Sequence, residues 1–587
     1  DRNVAVGEQA LQNMTAATTA DTYNVGVGYN AGLSVTTGTN NTFIGGLSGD
    51  ATTTGENNTA VGGSSLTTNS TGSSNTALGM NALRDNTTAS NNTAVGLNAG
   101  LSITTGDRNV AIGSAAMDAN ETGAGNTAVG YQALTAQTAS DVNTAIGFHS
   151  MLSLTTGNSN TAVGATALQS ITTGVANTAV GANALQDCTT SNNTAFGHNA
   201  ATNVTTGGNV VAVGYLALEA HTTANHVTAV GSEALKANTT GTENTSVGTA
   251  ALTANTTGAR NTAVGAFSLD ASTTGSNNSA FGREALTKNT TGSNNTGLGY
   301  ESLKENTTAN NNTAVGYQAM KANTTGTSNT SVGYDSLTAI TTGGENTIVG
   351  VGAGNQITTS SNNTAMGFDA LTRNSVGGNN SCFGHGAGDN ISTGSSNTMI
   401  GSNAGATINQ GDNNICVGKD TQCASGQGQN EIVIGIGITG VGSNSFTFGK
   451  ASNVIHNDFD ANATFTRNSD LHKKTNIENT NLGLSFINEL RPVTFNWKPN
   501  SEFPKHYKDY SETENHMDTE TNLYGMIAQD VEKALDKVGH KNFGGWSEEE
   551  DGSQKLAQSM FIYPLINAVK ELSAQVEELK AKLNEGE

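Results

Sequence analysis

The stretch NTAVGATALQSITTGVA, residues 160–176, is one unit of a repeat that fills most of the chain. Its first glycine, Gly164, recurs at a spacing of 17 residues from Gly28 to Gly435, with one step of 16 that ends at Gly197. A fixed period of this kind indicates stacked structural units, whereas generic low-complexity sequence has no regular spacing.

The composition of the unit favours strands over helices. Helical repeats are usually 30 residues or longer, whereas this unit is short and rich in Gly, Thr, Asn and Val. We expect two short strands per unit, Thr-Ala-Val and x-Ala-Leu, with Gly at turns and Asn at left-handed turn positions. The fold class is therefore mostly β, a β-solenoid in which each unit forms one coil and bonds to the coils before and after it.

Two further features of the repeat support an ordered solenoid. Proline is absent from residues 1–449, as expected if most backbone N–H groups donate to a ladder between coils. A large apolar residue precedes the first Gly, and Leu or Gly usually follows four residues later. We expect these two columns to form the core, and we expect association of several chains to cover the rows of small Ala and Ser.

The composition changes near residue 450. The chain has 72 Gly and a net charge of −22, but 65 Gly lie before residue 450, whereas all four Pro and both Trp lie after it. We predict a repeat shaft over 1–449, a connecting segment over 450–468 and a separate, small α+β domain over 469–587. The shaft includes irregular end steps of 21 residues after Gly7 and 14 residues before Gly449.

The charge and the hydropathy pattern exclude some function classes. An acidic chain lacks the cationic surface that nucleic-acid binding needs, and no window approaches the roughly 18 apolar residues of a membrane span.

The chain starts at Asp1 within a repeat, so we expect a fragment or a processed product. The sequence predicts no metal or cofactor, because it has neither calcium-type nonapeptides nor paired His ligands. We expect the four cysteines to be small buried residues: Cys188, Cys382, Cys416 and Cys423.

The NTAVG and NTAIG units resemble the repeats of trimeric autotransporter adhesin heads, and equally the repetitive shafts of viral and phage tail fibres. The adhesin heads are parallel β-rolls wound three together. The resemblance implies a homotrimer.

Three ordered motifs follow the shaft: SDLHKKTNI at 469–477, INELRPVTFNWK at 487–498 and YGMIAQDV at 524–531. Together they resemble the intramolecular chaperone domain of endosialidases and phage tail spikes, a self-cleaving serine peptidase family. His472 stands where that family usually has Arg, and Asp530 stands where Glu is common.

The resemblance implies autocatalytic cleavage of the bond between Asn468 and Ser469. Ser469 would be the nucleophile and Lys474 the general base, a known variant of the serine-peptidase arrangement. It would be a single reaction of the chain on itself, so whether the protein counts as an enzyme stays open. The supporting residues would be Asp470, His472, Asn476 and Gln529.

A heptad pattern ends the chain. Apolar residues at alternating spacings of three and four predict a coiled coil over about 561–585 that would hold three chains together. They are Ile562, Leu565, Val569, Leu572, Val576, Leu579 and Leu583. The alternative is a single helix that faces the core of its own domain.

These features predict a homotrimeric fibre, on a virion or another extracellular surface, that attaches to a host receptor or glycan. A cell-surface adhesin of a cellular organism is one alternative. A glycan-degrading spike is another, disfavoured because the repeats offer no pair of carboxylates in a pocket-forming loop.

Overall fold

The computed structural model describes the following residues, without the side chain of Lys473: 2–15, 21–451, 453–459, 469–515 and 517–586. They divide into two compact units, Asp1–Asn468 and Ser469–Glu587. Among the described residues, no helix is both long enough and apolar enough to cross a membrane.

The first unit is a β-solenoid, as the period of 17 predicts. Its strands are β1 Val4–Val6, β2 Val25–Val27, β3 Thr42–Ile44, β4 Thr59–Val61, β5 Thr76–Leu78, β6 Thr93–Val95, β7 Val110–Ile112, β8 Thr127–Val129, β9 Thr144–Ile146, β10 Thr161–Val163, β11 Thr178–Val180, β12 Thr194–Phe196, β13 Val210–Val213, β14 Val227–Val230, β15 Thr245–Val247, β16 Thr262–Val264, β17 Ser279–Phe281, β18 Thr296–Leu298, β19 Thr313–Val315, β20 Thr330–Val332, β21 Thr347–Val349, β22 Thr364–Met366, β23 Ser381–Phe383, β24 Thr398–Ile400, β25 Ile415–Val417, β26 Ile432–Ile436, β27 Ser445–Lys450 and β28 Asn453–Asp458.

Each coil contributes one strand to a single sheet, and consecutive strands from β1 to β27 pair in parallel. Equivalent residues are paired, for example Ala162 with Ala179, so the register follows the repeat. The irregular steps are kept, since Val4 pairs with Val25 at the start. At the other end β28 folds back antiparallel onto β27, within the segment expected to be a connector.

The inward face of the strand is the Ala column, and the expectation that the larger residue before Gly fills the core is wrong. In β10 Ala162 is fully buried while Val163 is only partly buried, and in β5 Leu78 is 48% exposed. The coil is thin, and the Leu from its opposite side already occupies the interior. Where that Leu is present only a small residue fits between the two sides, so the larger residue before Gly faces outward. Where Gly49 replaces the Leu, the inward position holds Phe43, which is fully buried.

The expected second strand, x-Ala-Leu, is also absent from the described coils, which carry turns there. In the coil of Gly164, Thr166 has φ 57° and Leu168 has φ 52°, values that no strand contains. Leu168 is nevertheless fully buried, and its N–H donates to the carbonyl of Ala184 in the next coil at 3.1 Å. The ladder between coils therefore continues on this side through left-handed residues.

A buried column of asparagines runs beside the strands. Asn312 donates from its side chain to the carbonyl of Gly326 at 2.8 Å, and its own N–H donates to the side-chain oxygen of Asn295 at 3.0 Å. Its oxygen in turn accepts from the N–H of Asn329 at 2.9 Å. The buried Asn side chains thus find their hydrogen-bond partners in the equivalent residues of neighbouring coils. The sequence reasoning missed this role of Asn because it placed Asn only in turns.

The repeated glycine is required by geometry. Gly62 has φ 137°, and a Cβ atom there would lie 2.5 Å from the carbonyl oxygen of Gly79 in the next coil. No other residue fits both the dihedral angle and the spacing between coils.

The second unit is a small α+β domain. Its elements are α1 Leu484–Ile487, β29 Val493–Phe495, β30 Leu523–Gly525, α2 Ala528–Lys537, β31 Trp546–Glu548, β32 Gln554–Leu556 and α3 Ile562–Asn584, with 3₁₀ turns at Leu471–Lys473, Asn500–Glu502 and Gln558–Phe561. Its core is formed by Leu482, Phe486, Val531, Ala534, Leu535 and Phe561.

Candidate functional site

The first motif of the second unit folds into one 3₁₀ turn. The carboxylate of Asp470 accepts a hydrogen bond from the backbone N–H of His472 at 2.7 Å and caps the turn. The same oxygen lies 2.9 Å from Nδ1 of His472. The turn ends at Lys474, whose N–H donates to the carbonyl of Leu471 at 3.2 Å.

This turn brings the predicted nucleophile and base into contact. Nζ of Lys474 lies 2.5 Å from Oγ of Ser469. Both side chains are exposed in the single chain. A lysine can accept the hydroxyl proton only as the neutral amine, which burial favours.

The remaining predicted site residues lie around and beyond the turn. Asn476 is exposed and left-handed at φ 55°, two residues after Lys474. Gln529 is exposed on α2. Among the described hydrogen bonds, none joins Gln529 to Ser469 or Lys474. Asn468, the other residue of the expected cleavage bond, lies outside the described residues.

The second and third motifs are held together by backbone and by charge. β29 and β30 pair antiparallel, with Val493 opposite Gly525. The guanidinium of Arg491 contacts Oδ2 of Asp530 at 2.6 and 3.1 Å and lowers the pKa of that carboxyl. Sequence reasoning singled out Asp530 as a departure from the family pattern but missed its partner, Arg491.

A cavity of about 620 Å³ lies against these two motifs. Phe495 and Trp497 from the second motif and Met526, Ile527 and Gln529 from the third line it. Gln529 therefore borders a recess that both apolar and polar side chains line.

The C-terminal helix is clamped to the start of α1. The carboxylate of Glu571 accepts from the N–H of Leu484 at 2.6 Å, and the side chain of Asn567 donates to the carbonyl of Leu482 at 3.2 Å. A Cβ atom on Gly483 would lie 2.0 Å from an oxygen of Glu571, so a larger residue there would displace the carboxylate from this contact. The heptad pattern gave no signal for this clamp.

The apolar seam of α3 is exposed within the single chain. Leu572 is 49% exposed, Leu579 65% and Leu583 76%, whereas the buried residues of the helix are Pro564 and Ala568. The seam is therefore not the face that packs on its own domain.

The sheet of the shaft also carries exposed apolar side chains. The outward column before the repeated Gly includes Leu78, Leu298 and Met366, each 46–50% exposed. Neighbouring outward positions carry stacked aromatic rings, such as Tyr317 and Tyr334 with centroids 5.0 Å apart. The shaft thus presents an apolar stripe along its sheet.

Two carboxylates of the shaft lie close together at one place. Lys304 contacts Glu284 at 2.8 Å and Glu301 at 2.7 Å, and Lys321 contacts Glu301 at 2.6 Å. Burial opposes ionisation of Glu301, but hydrogen bonds from Lys304, Lys321 and Gln318 outweigh it and lower its pKa to about 2. Hydrogen bonding from Lys304 also lowers the pKa of Glu284. Neither group can serve as a general acid near neutral pH.

The comparison with known families bears on the second unit. Residues 469–540 match the family described as chaperone of endosialidase. The match begins at Ser469, the first residue of the second compact unit, and covers all three motifs. No curated protein matches the chain.

Proposed function

We propose that the protein is a homotrimeric fibre of a virion or another extracellular surface, with a solenoid shaft that attaches to a host receptor or glycan. Its second unit acts as an intramolecular chaperone that aligns three chains and then releases itself. The exposed seam of α3 carries this proposal, together with the match of residues 469–540 to the chaperone of endosialidase.

The shaft explains why a chaperone is needed. Its coils pair through nearly identical ladders, so a strand displaced by one whole coil meets an almost identical partner. Parallel pairing of this kind gives weak protection against slippage and folds slowly. Three helices joined through the α3 seam start all chains at the same residue.

The apolar stripe of the shaft supports association of several chains. Contiguous exposed apolar surface marks interaction sites in soluble proteins. In a trimer the stripe of each chain packs against its neighbours, which also shields the sheet from unrelated strands.

Self-cleavage is proposed for the bond before Ser469. Oγ of Ser469 attacks the carbonyl carbon of Asn468 while Lys474 takes the hydroxyl proton and passes it to the amide nitrogen of Ser469, which leaves. Water then hydrolyses the resulting ester and leaves a carboxylate on Asn468 and a free amino group on Ser469.

The test compares wild type with Ser469→Ala and Lys474→Met, and uses Lys541→Met as the control for loss of an exposed lysine. On denaturing gels wild type and the control should separate into a shaft and a fragment 469–587, while the two site variants stay full length. Wild type that remains intact after prolonged incubation as a folded trimer would refute self-cleavage and leave the fibre proposal standing.

The two alternatives differ in testable ways. A cellular adhesin would share the trimeric shaft and would carry a membrane anchor elsewhere in the full gene product. A glycan-degrading spike needs a protonated carboxyl group opposite a second carboxylate. The closely spaced pair Glu284 and Glu301 does not meet that need, because lysine contacts keep both groups ionised.

A further inference from the structure

Two cysteine side chains face each other at the last 17-residue coil of the shaft. Cys416 is the central, inward residue of β25, and Cys423 follows seven residues later in the same coil. Their sulfur atoms lie 3.4 Å apart, and both side chains are fully buried. Cys188 and Cys382 are also buried, but Cys188 contacts Thr190 and Asn193 instead of another thiol.

The pairing results from a change in the coil. In earlier coils the core residue opposite the strand lies four positions after the repeated Gly, as Leu168 does after Gly164. After Gly418 that position is Gln422, which bridges to Thr439 in the next coil, so the following residue, Cys423, enters the core instead.

A buried carboxylate adjoins the pair. Glu431 takes the place of Asn at the end of the asparagine column, and its side chain accepts from the N–H groups of Ala424 at 3.1 Å and Gly442 at 3.2 Å. It also interacts with the thiol of Cys423, and burial raises the pKa of Glu431. Glu431 is thus placed to take the proton of that thiol.

We propose that Cys416 and Cys423 are an oxidisable pair whose disulfide closes the C-terminal end of the shaft. The bond links the strand side of the last regular coil to its turn side. A disulfide needs an S–S distance of about 2.05 Å, so the two sulfur atoms must move closer together than their present 3.4 Å. The proposed fibre function and the proposed cleavage at Ser469 do not depend on this disulfide.

The reaction balances with hydrogen peroxide as the oxidant. The thiolate of Cys423, formed as Glu431 takes the proton, attacks one peroxide oxygen and releases hydroxide, which gives a sulfenic acid. The sulfur of Cys416 then displaces the second hydroxide as the S–S bond forms. The hydroxide ions take up the two thiol protons, so the sum is two thiols and one peroxide to one disulfide and two waters. Hydrogen bonding to Cys416 and burial raise the pKa of Cys423, so we expect the reaction to be slow.

The test uses the full chain, untreated or incubated with hydrogen peroxide, then denatured without reductant, alkylated and digested with trypsin. Trypsin cuts after Lys419, between the two cysteines, so the disulfide joins peptides 374–419 and 420–450. Because the first peptide also contains Cys382, the experiment is repeated with Cys382→Ala.

The proposal predicts that the joined peptides appear in both proteins, disappear on reduction and are absent from Cys423→Ser. Amide exchange over 414–450 should be slower in the oxidised protein than in the reduced one. Full alkylation of Cys416 and Cys423 after peroxide would overturn the proposal, as would a sulfinic acid on Cys423 without joined peptides. Loss of the joined pair in Cys382→Ala would assign the bond to Cys382 and also overturn it.

Discussion

Substitution of two adjacent glycines separates the effect of coil geometry from that of composition. Gly62 has φ 137°, and an added Cβ would lie 2.5 Å from the oxygen of Gly79 in the next coil. Gly63 has no atom within 4 Å of the corresponding position. We therefore expect Gly62→Ala to damage the shaft and Gly63→Ala to leave it intact.

The cost of Gly62→Ala has two parts. An alanine in this backbone region costs on the order of 1–3 kcal/mol. The coils must also separate locally, which weakens the hydrogen bond from the N–H of Gly79 to the carbonyl of Val61, at present 2.8 Å long, by about 1 kcal/mol. The total is roughly 2–4 kcal/mol, whereas Gly63→Ala should be neutral or stabilising by up to about 1 kcal/mol.

Hydrogen exchange read by mass spectrometry is the suitable assay, because a solenoid opens locally, coil by coil. A loss of 2–4 kcal/mol corresponds to roughly 30- to 700-fold faster exchange through local opening. We expect this acceleration in Gly62→Ala for peptides within residues 45–96, and not for peptides from distant coils. Equal protection in the two variants would refute the assigned role of the glycine column.

Three further predictions concern the core and its charges. Asn312→Ala should destabilise its coil by roughly 1–3 kcal/mol because it leaves buried polar groups unpaired, while exposed Thr308→Ala should change stability little in the same chemical denaturation series. Leu286→Ile should cost about 1–2 kcal/mol because a branched Cβ is disfavoured at φ 55°, while Leu286→Met should be tolerated, as Met320 already occupies the equivalent position; thermal midpoints rank the two. The carboxylate of Glu301, with its pKa lowered from 4.5 to about 2, stabilises the shaft fully above pH 4.5 and loses that effect as the pH falls towards 2. Glu301→Gln should therefore show a weaker acid dependence of the melting temperature over that interval, and an unchanged dependence would contradict the assignment.

The period of the repeat and the absence of proline suffice to predict a solenoid, because both follow directly from stacking of hydrogen-bonded coils. They do not reveal which side of a three-residue strand faces inward. Hydrophobicity favours Val163, but the space left by Leu168 admits only Ala162. The inward residue is chosen by the space available inside the coil, and a hydrophobicity scale for single residues does not describe that space.

One signal in the sequence could have prevented the error about a second strand. From Gly7 to Gly401, the position four residues after the repeated glycine holds only Leu, Met, Ala or Gly. An inward strand position would admit Val and Ile freely, whereas a left-handed residue excludes them. Restriction to unbranched Cβ atoms therefore predicts the positive φ seen at Leu168.

In the candidate site, contacts between residues close in sequence could be predicted, whereas contacts between distant residues could not. Ser469 and Lys474 are close in sequence, so one turn joins them and their contact could be anticipated. The partners Arg491 with Asp530 and Glu571 with Leu484 are far apart in sequence, and only the folded domain brings them together.

Native mass spectrometry of the purified wild-type protein measures directly how many chains the shaft contains. We predict a shaft assembly with three times the mass of one shaft chain, separated from fragment 469–587, and an uncleaved trimer of full-length chains for Ser469→Ala. A folded shaft with the mass of a single chain would contradict the proposed trimeric fibre.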